Sequence, residues 1–288
     1  MAVQCLHQTS ALLGEGPVWA EQEQALYWLD IHGKRIHRLS FPSGEYATWP
    51  TPFRIASLAP RASGGFIGGS ERGFVLIDAE FRGFSIIGNP EPELPGNRFN
   101  DGKVDGCGRF WAGTMDDSET ARTGSLYRLG PDMRWTPADT GYAVTNGPAF
   151  SPDGRICYHS DSADQTIFRF DLASSGDLGG KRVFARFGSG DGYPDGMTVD
   201  AEGCLWVAFW DGWCVRRLAP DGQVLTTVEL PVQRPTSCVF GGLGLDTVFV
   251  TSASVGLGQE DLAKQPLAGG LFAFRPGVRG LAAPYFAA

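Results

Sequence analysis

The hydrophobic positions of this chain fall in short runs that come in pairs. A polar residue and a small residue lead into a brief apolar strand, a D-G or similar turn follows, and a second apolar strand rich in aromatics comes next. The pattern is clear in "EGPVWAEQEQALYWLD", "DGKVDGCGRFWAGTM", "NGPAFSPDGRICYHSD" and "DGMTVDAEGCLWVAFW", and weaker in "SLAPRASGGFIGGSE" and "SCVFGGLGLDTVFVTSA". Aligning the residue just before each first strand gives Glu15, Ala56, Asp101, Asn146, Asp195 and Thr236, spaced by 41, 45, 45, 49 and 41 residues. A period of roughly 44 residues is the length of a four-stranded propeller blade. In the fourth unit the strands read as "PAFSP", "ICYHSD", "TIFRFDL" and "RVFARF", with "DG", "SADQ" and "ASSGDLGG" supplying the turns.

The predicted fold is therefore all-β: a six-bladed β-propeller with four-stranded blades around a central channel, the first strand of each blade lining that channel. A β-sandwich, or two small β domains, is the competing arrangement. No Pro/Ser-rich linker or shift of composition divides the chain, so residues 1–288 read as a single domain. The opening "MAVQCLHQTS" is expected to supply a strand that closes the ring with the last blade and removes its exposed edges. The fragment "GQEDLAKQPLAGG" reads as a helical surface insertion in the sixth blade.

Composition agrees with a turn-rich folded protein: 40 Gly and 19 Pro accompany only 19% charged residues, and hydrophobic residues make up 42%. A formal charge of -8, with no basic cluster longer than the pairs at 181–182 and 216–217, argues against nucleic acid or an anionic membrane as partner and favours a small molecule. The amino-terminal residues lack the basic and apolar regions of a signal peptide, and no stretch approaches a membrane span, so a cytoplasmic monomer or weak homo-oligomer is expected. The six cysteines are scattered singly without C-x-x-C and read as buried free thiols, although a Cys204–Cys214 disulfide is conceivable.

Signatures of serine hydrolases, nucleotide-binding loops and zincins are all missing. With four histidines in the chain, histidine-based catalysis is disfavoured, and His159, in a β-rich apolar run, reads as a core residue. The chemistry lies in the repeat alignment. Equivalent positions on the inner strands of a propeller point to the same end of the channel, so Glu15, Asp101, Asn146 and Asp195 should converge. Several ionised carboxylates in a narrow channel repel one another unless a cation lies between them. Carboxylate and amide oxygens without Cys or His suit hard ions such as Ca²⁺, Mg²⁺ or Mn²⁺, and Zn²⁺ and Fe²⁺ also accept them. Turn capping is the plainer role for any one of these residues. Nearby, "GNRFNDG" puts Arg98 and Asn100 where they can hydrogen-bond an oxygen-rich ligand, and in "GTMDDSE" Asp116 or Asp117 can reach the same mouth.

Four segments carry a resemblance over nearly the whole chain: "LGEGPVW" at 13–19, "NRFNDGKVDGCGRFWAGTM" at 97–115, "TNGPAFSPDGRICYHSDS" at 145–162 and "YPDGMTVDAEGCLWVA" at 193–208. In order and at blade spacing, they resemble the SMP-30/gluconolactonase, or regucalcin-like, family. The resemblance implies one divalent metal ion held by Glu15, Asn146 and Asp195, with Arg98, Asn100 and Asp117 as substrate contacts. Asp117 stands where the family often has Glu, and Asp101 is expected to be structural rather than a ligand. The implied activity is metal-dependent hydrolysis of a sugar (aldono) lactone to the aldonic acid, the carbonyl being polarised by the metal and Asp195 activating water. Alternatives are an esterase or lactonase acting on non-sugar substrates, and a non-catalytic calcium-binding regulatory propeller. A WD40-like scaffold lacks its signature repeats, and no carboxylate pair can be assigned a glycosidase separation from sequence.

Overall fold

The computed structural model describes residues 1–288 and contains six four-stranded antiparallel sheets. Blade one comprises Gly14–Ala20, Ala25–Asp30, Arg35–Ser40 and Tyr46–Pro50. Blade two comprises Ile55–Pro60, Phe66–Ser70, Gly73–Ile77 and Phe84–Gly88, and blade three Asn97–Val104, Phe110–Asp116, Gly124–Leu129 and Trp135–Tyr142. Blade four is built from Thr145–Phe150, Ile156–Asp161, Thr166–Leu172 and Leu178–Arg186, and blade five from Tyr193–Val199, Leu205–Trp210, Cys214–Leu218 and Val224–Glu229. In blade six Pro235–Gly241, Thr247–Ser252 and Leu271–Phe274 are joined by Gln4–His7 as the outermost strand. Each inner strand contacts the inner strands of its two neighbours, and the first meets the sixth, so the six sheets form a closed ring: a six-bladed β-propeller.

Burial falls from the channel outward. Gly14–Ala20 is buried throughout, whereas Tyr46–Pro50, the outer strand of the same blade, is largely half-exposed or exposed. Apolar side chains fill the space between adjacent sheets: Tyr27, Phe66 and Phe81 interlock between blades one and two, and Trp206, Phe240 and Phe274 between blades five and six. Such aromatic pairs supply much of the contact area between sheets.

Two aspartates, Asp105 and Asp200, each stand six residues before a buried tryptophan, Trp111 and Trp206, and play the same structural part. Asp200 accepts hydrogen bonds from the Glu202 and Cys204 amides (3.0 and 2.9 Å), from the Trp206 indole (2.9 Å) and from Arg217 Nε (2.8 Å). Asp105 does the same with the Cys107 and Arg109 amides (2.9 and 3.1 Å), the Trp111 indole (2.8 Å) and Arg109 Nε (2.6 Å). Each carboxylate thus satisfies a turn and a core Trp at once.

The aligned residues of the repeat are not just before the inner strands, as the sequence pattern suggests, but within them. All six inner strands shift register at that point: after Glu15, Ile55, Phe99, Asn146, Pro194 and Pro235. A β-bulge re-aims the side chains around it, and in blades one, three, four and five it turns Glu15, Asn100, Asn146 and Asp195 toward one end of the channel, whereas Ala56 of blade two packs in the core and Thr236 of blade six donates to the Gly14 carbonyl. Polar residues interrupt the apolar pattern at these bulges, which is why the strands read from sequence as starting too late.

The insertion in blade six contains a short helix, Gln259–Lys264. No helix is long and apolar enough to cross a membrane. All six cysteines are free, so Cys204 and Cys214 are not paired. Cys157, Cys204, Cys214 and Cys238 are buried, Cys5 is half-buried, and Cys107 is exposed because it lies on the turn capped by Asp105. His159 is fully buried beside Tyr142, with ring centroids 4.7 Å apart.

Candidate active site

One end of the channel opens into a cavity of about 710 Å³ lined by Glu15, Arg98, Asn100, Asn146 and Asp195, with Asp117 at its edge. These come from blades one, three, four and five, and the five named first are buried. Asp101 is directed to the other side of its bulge. Its carboxylate accepts from the Gly102 and Gly147 amides (2.8 and 3.1 Å) and lines a second cavity of about 370 Å³ further down the channel. In blade three it is Asn100, not Asp101, that joins Glu15, Asn146 and Asp195 in the upper cavity. Lys103, beneath them, donates to the Met197 carbonyl.

Hydrogen bonds fix the polar side chains. Asn146 Nδ2 donates to Ser162 Oγ (2.9 Å), and that hydroxyl donates to the Pro194 carbonyl (2.6 Å). Asn100 Nδ2 donates to the Thr145 carbonyl (2.8 Å) and to Asn146 Oδ1 (3.1 Å). Arg98 donates from Nη1 to Asn100 Oδ1 (2.8 Å) and the Phe99 carbonyl (3.0 Å), and from Nε to Asp117 Oδ1 (2.6 Å). Asp116 caps the exposed turn at 116–121 through Ser118, Thr120 and Ala121, which leaves Asp117 as the acid that reaches the cavity.

Two carboxylates remain incompletely partnered. Glu15 Oε2 accepts from the Gly16 amide (2.9 Å), and Asp195 Oδ1 is buried with no hydrogen-bond partner. Burial pushes the Glu15 carboxyl up to about 8, with the Asp101 charge adding to the effect. Burial, followed by the charges of Glu15 and Asp101, raises Asp195 well above the usual carboxylate range. At Asp117 burial acts upward too, but the Arg54 and Arg98 guanidiniums outweigh it and hold the carboxyl low. A buried, unpartnered carboxylate oxygen facing a second carboxylate is costly unless a cation neutralises the pair. Two carboxylates and an amide oxygen suit a hard divalent ion, so the residues fit the metal that the fold family implies.

The sequence profile of the SMP-30/Gluconolactonase/LRE-like region matches residues 13–254. This chain belongs to that family. A 6-deoxy-6-sulfogluconolactonase of Pseudomonas putida is 40% identical over 287 residues, covering 99% of this chain and 98% of that protein. An L-arabinolactonase of Azospirillum brasilense is 37% identical over 290 residues, covering 98% and 94%. Among solved structures, a regucalcin of Agrobacterium tumefaciens, described as a calcium-binding protein, superposes with a TM-score of 0.95 at 29% identity, covering 100% of this chain and 98% of that one.

In this member of the SMP-30/gluconolactonase family the cavity also contains residues that the repeat pattern does not flag. Ser162 stands at the end of a motif segment, but its role depends on Asn146 across the sheet. Arg54 lies in the loop before blade two and pairs with Asp117 of blade three (3.0 and 2.8 Å). His32, Glu119 and Arg234 enter from other loops. Their only sequence signal is a position just outside a strand, which many surface residues share.

Proposed function

We propose that this protein hydrolyses a sugar (aldono) lactone to the open-chain aldonic acid in a metal-dependent reaction at the upper cavity. The observation that carries the reading is the buried Asp195 Oδ1 without a partner, facing a cavity that also holds Glu15, Asn146 and a polar wall. Relatives whose names specify sugar lactonases, at 40% and 37% identity over nearly full length, support the substrate class.

Glu15, Asn146 and Asp195 would hold a divalent cation, which when bound supplies a Lewis acid for the lactone carbonyl. Ser162 and Asn100 orient the Asn146 amide so that its oxygen faces the cavity. Arg98 has Nε and Nη1 engaged by protein acceptors and Nη2 without one, and that nitrogen, together with Asn100 and Asp117, would bind ring hydroxyls. Asp195 Oδ1 would accept a proton from water as the water oxygen attacks the carbonyl carbon. The ring C–O bond then breaks and the proton passes to the departing ring oxygen, leaving an alcohol and a carboxylic acid. No side-chain nucleophile is needed.

The test is a panel of aldonolactones assayed by initial rate above the spontaneous background with Ca²⁺, Mg²⁺, Mn²⁺, Zn²⁺ and Fe²⁺ in turn; background rates throughout would reject the reading. A second reading, a calcium-binding propeller without turnover, draws on the described property of the regucalcin structure. It requires that metal removal lower the melting temperature while no lactone is turned over at any metal loading.

A further inference from the structure

Beside the upper cavity lies an outer groove of about 640 Å³, lined mainly by polar and charged residues, among them Arg54, Glu71, Arg72, Asn97, Arg98 and Asp117. The two spaces have three lining residues in common: Arg54, Arg98 and Asp117. These three side chains are therefore the wall between them. The wall is a chain of ion pairs across two blades. Arg54 Nε donates to Glu71 Oε2 (2.6 Å), its Nη1 and Nη2 form a fork on Asp117 (3.0 and 2.8 Å), and Arg98 Nε closes the chain on Asp117 Oδ1 (2.6 Å).

The members of the wall differ in how firmly they are held. The Arg98 side chain is 6% exposed and tied to blade three through Phe99 and Asn100, so it belongs to the cavity itself. The Arg54 side chain is 24% exposed, comes from the loop before blade two, and reaches the wall only through its guanidinium. Planar two-point recognition of a carboxylate holds that guanidinium in place, and shortening the side chain would remove the barrier with it.

We infer that Arg54 is a specificity-determining residue: its bridge to Asp117 confines the upper cavity to single-ring lactones and shuts off a polar groove that would otherwise take a polyhydroxylated substituent, such as a glycosyl group on the aldonolactone. The substrate class rests on the lactonase reading; the partition does not. The groove beyond offers what such a substituent would require. Arg72 has no acid partner, its guanidinium lying over the Phe53 ring at 4.8 Å, and Glu71 and Asn97 add carboxylate and amide groups.

The experiment compares the wild type, Arg54→Ala, Arg54→Lys and Glu71→Gln, each loaded with the same divalent ion. Calorimetric binding of gluconate is set against that of maltobionate, a gluconate carrying a glucosyl group at O4, and of its 6-O-glucosyl isomer. Initial rates on the corresponding lactones are measured alongside. Arg54→Ala is expected to shift the ratio of glycosylated to simple ligand at least about ten-fold toward the larger one, with Arg54→Lys, which keeps the charge but cannot form the two-point bridge, shifting it by a smaller amount in the same direction. Glu71→Gln, which loosens the wall without lining the upper cavity, is expected to shift it less in the same direction and decides the matter should Arg54→Ala fail to fold. An unchanged ratio in these variants, or a wild type that binds glycosylated and simple ligands equally or binds neither, overturns the partition. Shifted binding ratios without turnover of any lactone would uphold the partition and reject the lactonase reading.

Discussion

Asn146 Nδ2 donates to Ser162 Oγ at 2.9 Å, and this bond sets which end of the amide faces the cavity. The hydroxyl is itself anchored on the Pro194 carbonyl, one residue before Asp195, so two candidate ligands on different blades share one support. Groups that orient metal ligands change affinity without touching the ion. Ser162→Ala is expected to weaken divalent-ion binding about ten-fold while leaving the fold intact. Calorimetric titration of the ion into the metal-free variant, with circular dichroism as a folding control, checks this.

Asp195 and Glu202 lie seven residues apart on the same hairpin, yet they have different expected consequences. Asp195→Asn removes a buried charge from the candidate ligand set and the proposed base, and should lower ion affinity and cut turnover by about 10²- to 10⁴-fold. Glu202, whose side chain is 61% exposed and pairs with Arg217 at 2.6 Å, is outside the channel. Glu202→Gln should leave turnover unchanged and alter stability by no more than about 1 kcal/mol. Wild-type rates and metal affinity in Asp195→Asn would remove that residue from the mechanism.

His159 gives a pH dependence of stability independent of the site. Both ring nitrogens are buried without partners, and burial lowers its pKa to about 3, with Asp139 acting upward and Lys181 downward as smaller influences. The unfolded chain takes up a proton near pH 6.5 and the folded one does not, so stability is lost as pH falls from 6.5 toward 3 and is unaffected above that window. At pH 5 the loss from this residue is about 2 kcal/mol. Urea unfolding of the wild type and His159→Phe at pH 7.5 and 5.0 should show the variant losing less stability between the two.

Gly196, next to Asp195, faces blade six so closely that a Cβ built there would lie 2.1 Å from Ser237 Oγ and 2.8 Å from Ser237 Cα. The second contact is with backbone, which cannot rotate away. Gly196→Ala should therefore cost about 1–3 kcal/mol through overpacking, read as a lower melting temperature.

The blade period, the inner-strand order and the channel-facing set Glu15, Asn146 and Asp195 were legible because each depends on local pattern repeated at a fixed interval. Asp101 was not separable from Asn100 in this way. The two are adjacent, and only the bulge after Phe99 decides that Asn100 enters the upper cavity while Asp101 satisfies the Gly102 and Gly147 amides below. Arg54 was illegible for a different reason. Its partner is 63 residues away on another blade, and the loop that carries it has no recurring signature. Cys107 resembled its buried counterparts in composition but sits on a turn tip, where the Asp105 cap exposes it.

The partnerless Asp195 carboxylate in the channel is proposed to serve metal-dependent lactone hydrolysis. The most direct test of this role is the initial rate of aldonolactone hydrolysis by protein stripped with a chelator, dialysed and then titrated with a divalent ion. We predict background rates without the ion and turnover that rises to saturation at one ion per chain. Full turnover in the stripped protein, or background rates at every metal loading, would contradict it.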